Sequence, residues 1–259
     1  TDTSDLQVNA YTGTLTDPAG NPAAAASGDL GAVIVDANSP TFSSVSANNG
    51  TYKVGDNIII TVTYNEAVQG TSSALTLSND ATALYTSGSG SATMTYTYTV
   101  AEGNTDSSDL QVNAYTGTLT DTAGNAATAT SGDLGAVIVD ANSPALSSVS
   151  ATNGTYKVGD SIVITVTYDQ AVQGTSSALT LSNGASASYT SGSGSTAMKY
   201  TYTVVEGHTD SSDLSVSAYT GTLTDAAGNS AAAASGDLGA VIVDANSPAF
   251  SSVAATDGT

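Results

Sequence analysis

Apolar and hydroxyl-bearing residues alternate along much of this chain with a period of two. Over residues 92–100, Met94, Tyr96, Tyr98 and Val100 fall on one face, and Thr93, Thr95, Thr97 and Thr99 on the other. That is the pattern of a strand with one buried and one wet face. Residues 58–65 repeat it, with Ile58, Ile60, Val62 and Tyr64 against Thr61 and Thr63. Five further runs complete a set of seven predicted strands: 42–47, 73–78 (Leu75 and Leu77 inward), 81–86, 110–120 with a kink at Gly117, and 134–139. Turn signals separate them, among them SGSGS at 87–91 and DTAGN at 121–125. Short strands at this spacing predict an all-β sandwich. No stretch carries a 3.6-residue period, and the Ala-rich run 126–130 is too short for a helix.

The pattern recurs. VIVDANSP begins at Val33, Val137 and Val241, a spacing of 104 residues. Residues 36–139 and 140–243 are therefore two complete copies, differing at 21 of 104 positions. Residues 1–35 match the last third of a copy, and 244–259 match its first 16 positions. A chain that starts and stops inside repeats is expected of a window from a longer array. Fragments complementing neighbouring chains are disfavoured, because 16 and 35 residues leave 53 positions of a repeat missing. Seven strands is odd, so the chain should enter each copy at one pole and leave at the other. Short linkers stiffened by Pro40, Pro144 and Pro248 would then join the sandwiches head to tail as a rod.

Composition narrows the function. The 259 residues hold 3 Lys+Arg against 23 Asp+Glu, a formal charge of −20. Nucleic acid is excluded as a partner, since phosphate binding needs clustered cations. With no cysteine there is no disulfide framework, thiol chemistry or thiolate metal site. No apolar run is long enough to span a membrane as a helix. No signal peptide is visible, so any export signal is expected to lie outside this stretch.

The acids collect at the predicted poles. Asp36, Asp140 and Asp244 begin the three linkers; Asp121 and Asp225 begin the DxAGN turns; Asp106 and Asp109 lie in the loop after the Tyr-rich strand, with Glu102. After the second long strand, one copy reads Asn65-Glu66 and the other Asp169-Gln170, so the carboxylate moves by one residue. Oxygen donors on loops, without nitrogen or sulfur, suit Ca²⁺ at or near each junction. The alternative is that these acids are turn and surface residues that cap loops and keep the chain soluble.

Other signals are weaker. His208 is unique and replaces Asn104, so a Ser-His-Asp triad in each copy is ruled out and no enzyme is expected. The strand tyrosines read as core packing more than as a sugar platform. The TGTLT run at 12–16 is ordinary strand composition more than an ice-binding array. Asn49 and Asn153 each begin an Asn-Gly-Thr sequon. Lys53 and Lys157 have no motif around them that supports an isopeptide bond.

The strings GTYKVGDNIIITVTYNEAV, LTLSN, YTSGSG, YTYTVAEG, SDLQV and TGTLTDTAGNAA together resemble the immunoglobulin-like tandem repeats of giant bacterial surface proteins. These include biofilm adhesins secreted by type I systems and the cyanobacterial swimming-associated surface protein. The resemblance covers both copies and both fragments. It implies extracellular extender domains that touch neighbouring repeats of the same chain, are rigidified by Ca²⁺ and support adhesion. It puts Glu66, Asp121 and Asp225 forward as ligands, and Gln170 departs from it. Two other readings stand beside it: a subunit of a self-assembling filament, sheath or S-layer-like polymer of identical chains, and a glycan- or ice-binding module.

Overall fold

The structure, a computed structural model, describes residues 2–256. It is all-β, with no helix among the described residues, and so none long and apolar enough to cross a membrane. Two compact units divide the chain. The first is Thr1–Gly50, Asn57–Thr99 and Ser107–Ile138; the second is Thr51–Asp56, Val100–Asp106 and Val139–Thr259. The division follows the 104-residue repeat closely, except that two loops of the first copy group with the second unit.

The strands preceding the second copy are β1 (Gln7–Val8), β2 (Gly28–Asp29), β3 (Phe42–Ser46), β4 (Gly50–Lys53), β5 (Asn57–Val68), β6 (Ala74–Leu77), β7 (Thr82–Ser87), β8 (Ser91–Thr99), β9 (Gln111–Thr116), β10 (Gly132–Asp133) and β11 (Val137–Asp140). The second copy repeats them as β12 (Leu146–Ser150), β13 (Gly154–Lys157), β14 (Ser161–Val172), β15 (Ala178–Leu181), β16 (Ser186–Ser191), β17 (Ser195–Thr203), β18 (Ser215–Thr220), β19 (Gly236–Asp237) and β20 (Val241–Asp244). Each copy forms a seven-stranded sheet in the order β3-β5-β8-β7-β6-β9-β10, or β12-β14-β17-β16-β15-β18-β19.

The register follows the predicted alternation. Ile58 faces Tyr98, Ile60 faces Tyr96 and Val62 faces Met94, and all six are buried. In the second unit one apolar cluster takes in Ile162 and Ile164 of β14, Leu179 of β15, Val216 of β18 and Val241 of β20. Of these, β14, β15 and β18 are spread across the seven-stranded sheet from its second strand to its sixth, and β20 lies outside it. One face can be buried throughout, with no helix to cover it, only if the sheet folds over on itself. The result is a two-layered β-sandwich, and the pairing order is that of the seven-stranded immunoglobulin sandwich.

The structure departs from the predicted strands in three places. The run 134–139 is not one strand: Gly132–Asp133 pairs with β9, a turn intervenes at Gly135 (φ +91°), and Val137–Asp140 forms a separate two-stranded sheet with β4. In the second copy the equivalent pair, β13 and β20, is parallel, from Gly154 opposite Val241 to Lys157 opposite Asp244. Its polar Gly-Thr-Tyr-Lys strand reads locally as a turn, and a parallel partner some 87 positions away leaves no local trace. Second, β5 runs past Asn65 to Val68 through an irregularity in its pairing with β8. Third, β9 stops at Thr116 instead of bending. Gly117 sits at φ +92°, and a Cβ there would come within 2.9 Å of the Ser72 carbonyl oxygen.

Tyrosines fill the core and satisfy their hydroxyls there, as buried polar groups must. Tyr96 and Ser73 share a 2.9 Å hydrogen bond, and Tyr64 and Thr130 one of 2.8 Å. Where Ala234 replaces Thr130, the hydroxyl of Tyr168 donates to the Ala232 carbonyl instead (3.0 Å). The leading segment shows the opposite situation. β1 and β2 pair in the register of β9 and β10, yet Leu15 is 58% exposed while its counterpart Leu119 is 1% exposed.

A second core hydroxyl also differs between the copies. Tyr115 donates to the Ala127 carbonyl (3.1 Å), whereas the buried hydroxyl of Tyr219 has only Ser177 beside it, whose hydroxyl is already bonded to Tyr200, and makes no well-formed hydrogen bond; burial pushes it up to about 12. Tyr115→Phe should therefore cost about 0.5–1.5 kcal/mol, while Tyr219→Phe should be neutral or stabilising. Denaturant unfolding of the two variants checks this.

Candidate functional site

The DxAGN turn is built the same way three times. The first carboxylate oxygen of Asp225 accepts from the backbone N–H groups of Gly228 (2.7 Å) and Asn229 (2.8 Å), and the second accepts from the Asn229 amide (2.9 Å). Asp121 does the same with Gly124 and Asn125, and Asp17 differs only in that its first oxygen accepts from Ala19, one residue before the glycine, beside Asn21. This is an Asx-type turn that an aspartate sets by itself. Burial pushes the Asp121 carboxyl up, but the bonds from Asn125 and the turn N–H groups outweigh it and hold it below the ordinary range. In Asp17 the Asn21 amide leads the same downward shift.

The asparagine at the end of the turn reaches further. In the second unit Asn229 is buried, and its amide donates to the Asp140 carbonyl oxygen (3.1 Å) and carboxylate (3.2 Å). Its own oxygen accepts from the Val54 N–H (2.8 Å). One side chain thus joins the turn, the linker and the Lys53–Asp56 loop. Asn125 makes the corresponding bond to the Asp36 carbonyl (3.1 Å). Sequence reasoning overlooked this residue. The signal was present, since Asn ends all three copies of DxAGN.

A second grip acts on the linker. Asp106 accepts from the Ala141 N–H and the Asn142 amide, both at 2.8 Å, and Glu102 accepts from the Ser143 N–H (2.9 Å) and hydroxyl (2.7 Å). Asp210 and Glu206 hold Ala245, Asn246 and Ser247 in the same way, and Asp2 holds Ala37 and Asn38. The Ser247 hydroxyl, followed by its N–H, draws the Glu206 carboxyl below the usual range. Four donors to two carboxylates fix the linker without any cationic side chain.

The structure brings some of the candidate metal-ligating residues together and separates others. Asp36, Glu66 and Asp121 each offer an oxygen within 4.8 Å of the others. Burial, then the charges of Asp36, Asp121 and Asp2, raise the Glu66 carboxyl. In the second unit Asp140 and Asp225 adjoin, and burial followed by Asp225 raises Asp140. Gln170 takes the place of Glu66, and its amide donates to the Asn142 carbonyl (2.7 Å). Asp169 is directed elsewhere: it accepts from the Ala145 N–H (2.8 Å), the role Asn65 plays for Thr41. Asp106 belongs to the linker grip. Asp109 is exposed and accepts from the Gln111 amide (3.2 Å). Asp244 is exposed in its linker and accepts from the Asn246 N–H at 3.4 Å. His208 stacks on Tyr202 at 5.6 Å and shares a 3.0 Å hydrogen bond with its hydroxyl.

No family model matches this chain, and no curated protein does. A crystal structure of bovine butyrophilin is similar at 7% identity, over 74% of this chain and 97% of that chain, with a TM-score of 0.29. A likeness that weak carries no argument.

Two predictions follow from the geometry of the second unit. Asn229→Ala removes donors to Asp140 and Asp225 and should cost about 2–4 kcal/mol. Val54→Pro removes only the N–H. It should cost less, about 1–2 kcal/mol, because Gly55 (φ +89°) and the Asp56 N–H to Lys53 carbonyl bond make a turn that accepts proline at this position. Chemical denaturation of both variants measures the difference. The linker grip sets a pH dependence. Glu206 is depressed in the folded state, so its contribution is complete above the unfolded value near 4.5 and is lost as pH falls through the folded value. Melting curves between pH 7 and 3 should show Glu206→Gln destabilised at pH 7 and converging on the parent chain at the acid end.

Proposed function

We propose that this chain is a stretch of extracellular extender repeats: immunoglobulin-like sandwiches following one another head to tail as a rod, whose work is mechanical. The observation that carries the reading is the linker grip. The same two carboxylates hold the same three linker residues in successive copies, and the buried Asn229 ties linker, turn and loop together. A connector that only had to be long would not spend its linker N–H groups this way. A surface of Ser, Thr and Asn with net negative charge resists nonspecific attachment, which suits a spacer that presents something else.

Cation binding belongs to the same reading. The donors fit Ca²⁺: three carboxylates on separate segments, oxygen only, beside linker carbonyls. Asp36, Glu66 and Asp121 would hold the ion, and a bound cation supplies the neutralising charge that no Lys or Arg provides. In the second copy Gln170 offers a neutral oxygen in place of a charge, so that site would bind more weakly. Support for adhesion or a biofilm is the role this architecture suits.

Small-angle scattering and thermal unfolding with millimolar Ca²⁺, then with chelator, test both parts. An elongated particle is expected, with Ca²⁺ raising the melting midpoint. Glu66→Gln should raise the metal-free midpoint, by removing repulsion, and shrink the Ca²⁺ response. A compact particle overturns the extender reading. An unchanged midpoint in the parent chain overturns the cation site alone.

A further inference from the structure

We infer that β13 and β20 form a shear clamp, through which the second copy carries tension along the chain. The pair is parallel and in register, from Gly154 opposite Val241 to Lys157 opposite Asp244. One strand lies near the start of the copy and the other closes it: β13 follows the linker and β12, and β20 runs directly into the next linker. In a parallel pair the two N-terminal ends lie together, and so do the two C-terminal ends. Tension along the chain pulls β13 by its N-terminal end and β20 by its C-terminal end. These are opposite ends of the pair, so the strands are driven to slide past each other. Sliding loads every bond of the pair at once. An antiparallel pair at the same two places would be pulled from one end and would peel open bond by bond.

The two strands are anchored unequally, which puts the slip plane between them. β20 is held by the core and along its other edge. Val241 and Val243 are buried, Val243 exchanges two backbone bonds with Ser211 (2.8 and 3.0 Å), and the Leu214 N–H donates to the Val241 carbonyl (2.9 Å). β13 has β20 as its partner in a two-stranded sheet, and the Gly154 N–H meets the Ala240 carbonyl (3.0 Å) at its start. The linker grip delivers the load to this line. Glu206 and Asp210 hold Ala245, Asn246 and Ser247, and the Gly207 N–H donates to the Ala245 carbonyl (2.9 Å). Loop 205–211 thereby ties the linker to Ser211, which is itself bonded to β20. A pull on the linker arrives along the strand instead of lifting its end off the sheet. The first copy pairs the equivalent strands, β4 with β11. The inference rests on the extender reading for the direction of the load.

Single-molecule force spectroscopy of the full chain in two pulling directions tests it. The chain has no cysteine, so introduced cysteines are unique attachment points. Thr152→Cys with Ser251→Cys pulls β13 from its N-terminal side and shears the pair. Lys157→Cys with Ser251→Cys pulls both strands from their C-terminal ends and peels it. All three positions are exposed, and the Lys157–Asp160 ion pair lost in the second variant is a surface contact worth little. The core and the linker grip are the same in both variants. At one loading rate the sheared variant should open at a force at least twofold higher, in a single step. That step should lengthen the molecule by about 300 Å, as the residues from Thr152 to Asp244 extend at about 3.3 Å each. Equal forces in the two directions, or a lower force for the sheared variant, overturn the inference. The extender reading is judged separately, by particle shape in scattering, so the failure of one is distinguishable from the failure of the other.

Discussion

The constraint on which this structure depends is that carboxylates outnumber cationic side chains by 23 to 3. Ordinary ion pairing is closed to most of them; the two ion pairs among the described residues are both local Lys–Asp contacts three residues apart. Each remaining carboxylate at a pole must find backbone N–H groups, amides or hydroxyls, or else face water and its neighbours. Charge-assisted hydrogen bonds of this kind are stronger than neutral ones. The sequence places its linkers where they can supply the donors. Ala141, Asn142 and Ser143 offer N–H groups, an amide and a hydroxyl to Asp106 and Glu102. The acidity and the ordered linker are two sides of one arrangement.

The differences between the copies obey the same rule. Asn65 and Asp169 occupy one position, and each accepts from the next linker N–H, which an amide oxygen or a carboxylate serves equally well. One position on, Glu66 adds a third negative charge beside Asp36 and Asp121, whereas Gln170 donates its amide to a linker carbonyl. This pair of positions keeps one carboxylate in each copy, but at a different place. The first site keeps a surplus of negative charge, and burial followed by that charge raises Glu66. The second has converted that surplus into a hydrogen bond.

Most of the sandwich was legible in the sequence because its strands alternate strictly and its core lies on one face. Met94, Tyr96 and Tyr98 could be assigned inward from periodicity alone, and they are buried. The short parallel pair was not legible. Gly154–Lys157 carries little apolar signal, and its partner Val241–Asp244 is set by the closing of the whole sheet. Of the site, the grouping of linker, post-strand and turn acids could be reasoned from which pole each loop must occupy. The division of labour could not. Whether Asp169 or Gln170 meets the Asn142 carbonyl depends on the irregular stretch of β14 between Thr167 and Val172, where the pairing register shifts. A single-residue change of face at such a place is invisible to pattern reading.

The repeated asparagine shows how one turn organises both itself and the linker beside it. A DxAGN turn needs its aspartate to form, and the same bonds orient the asparagine amide outward along the turn. Asp17–Asn21 demonstrates this, because it has the full set of internal bonds while lying exposed. The turn is therefore organised before it meets anything, and seating it costs little further ordering. What it meets in the second unit is equally prepared: a linker carbonyl held in place by two carboxylates, and an N–H at the tip of a glycine-containing turn. Two preorganised surfaces of this kind lose little conformational entropy on contact.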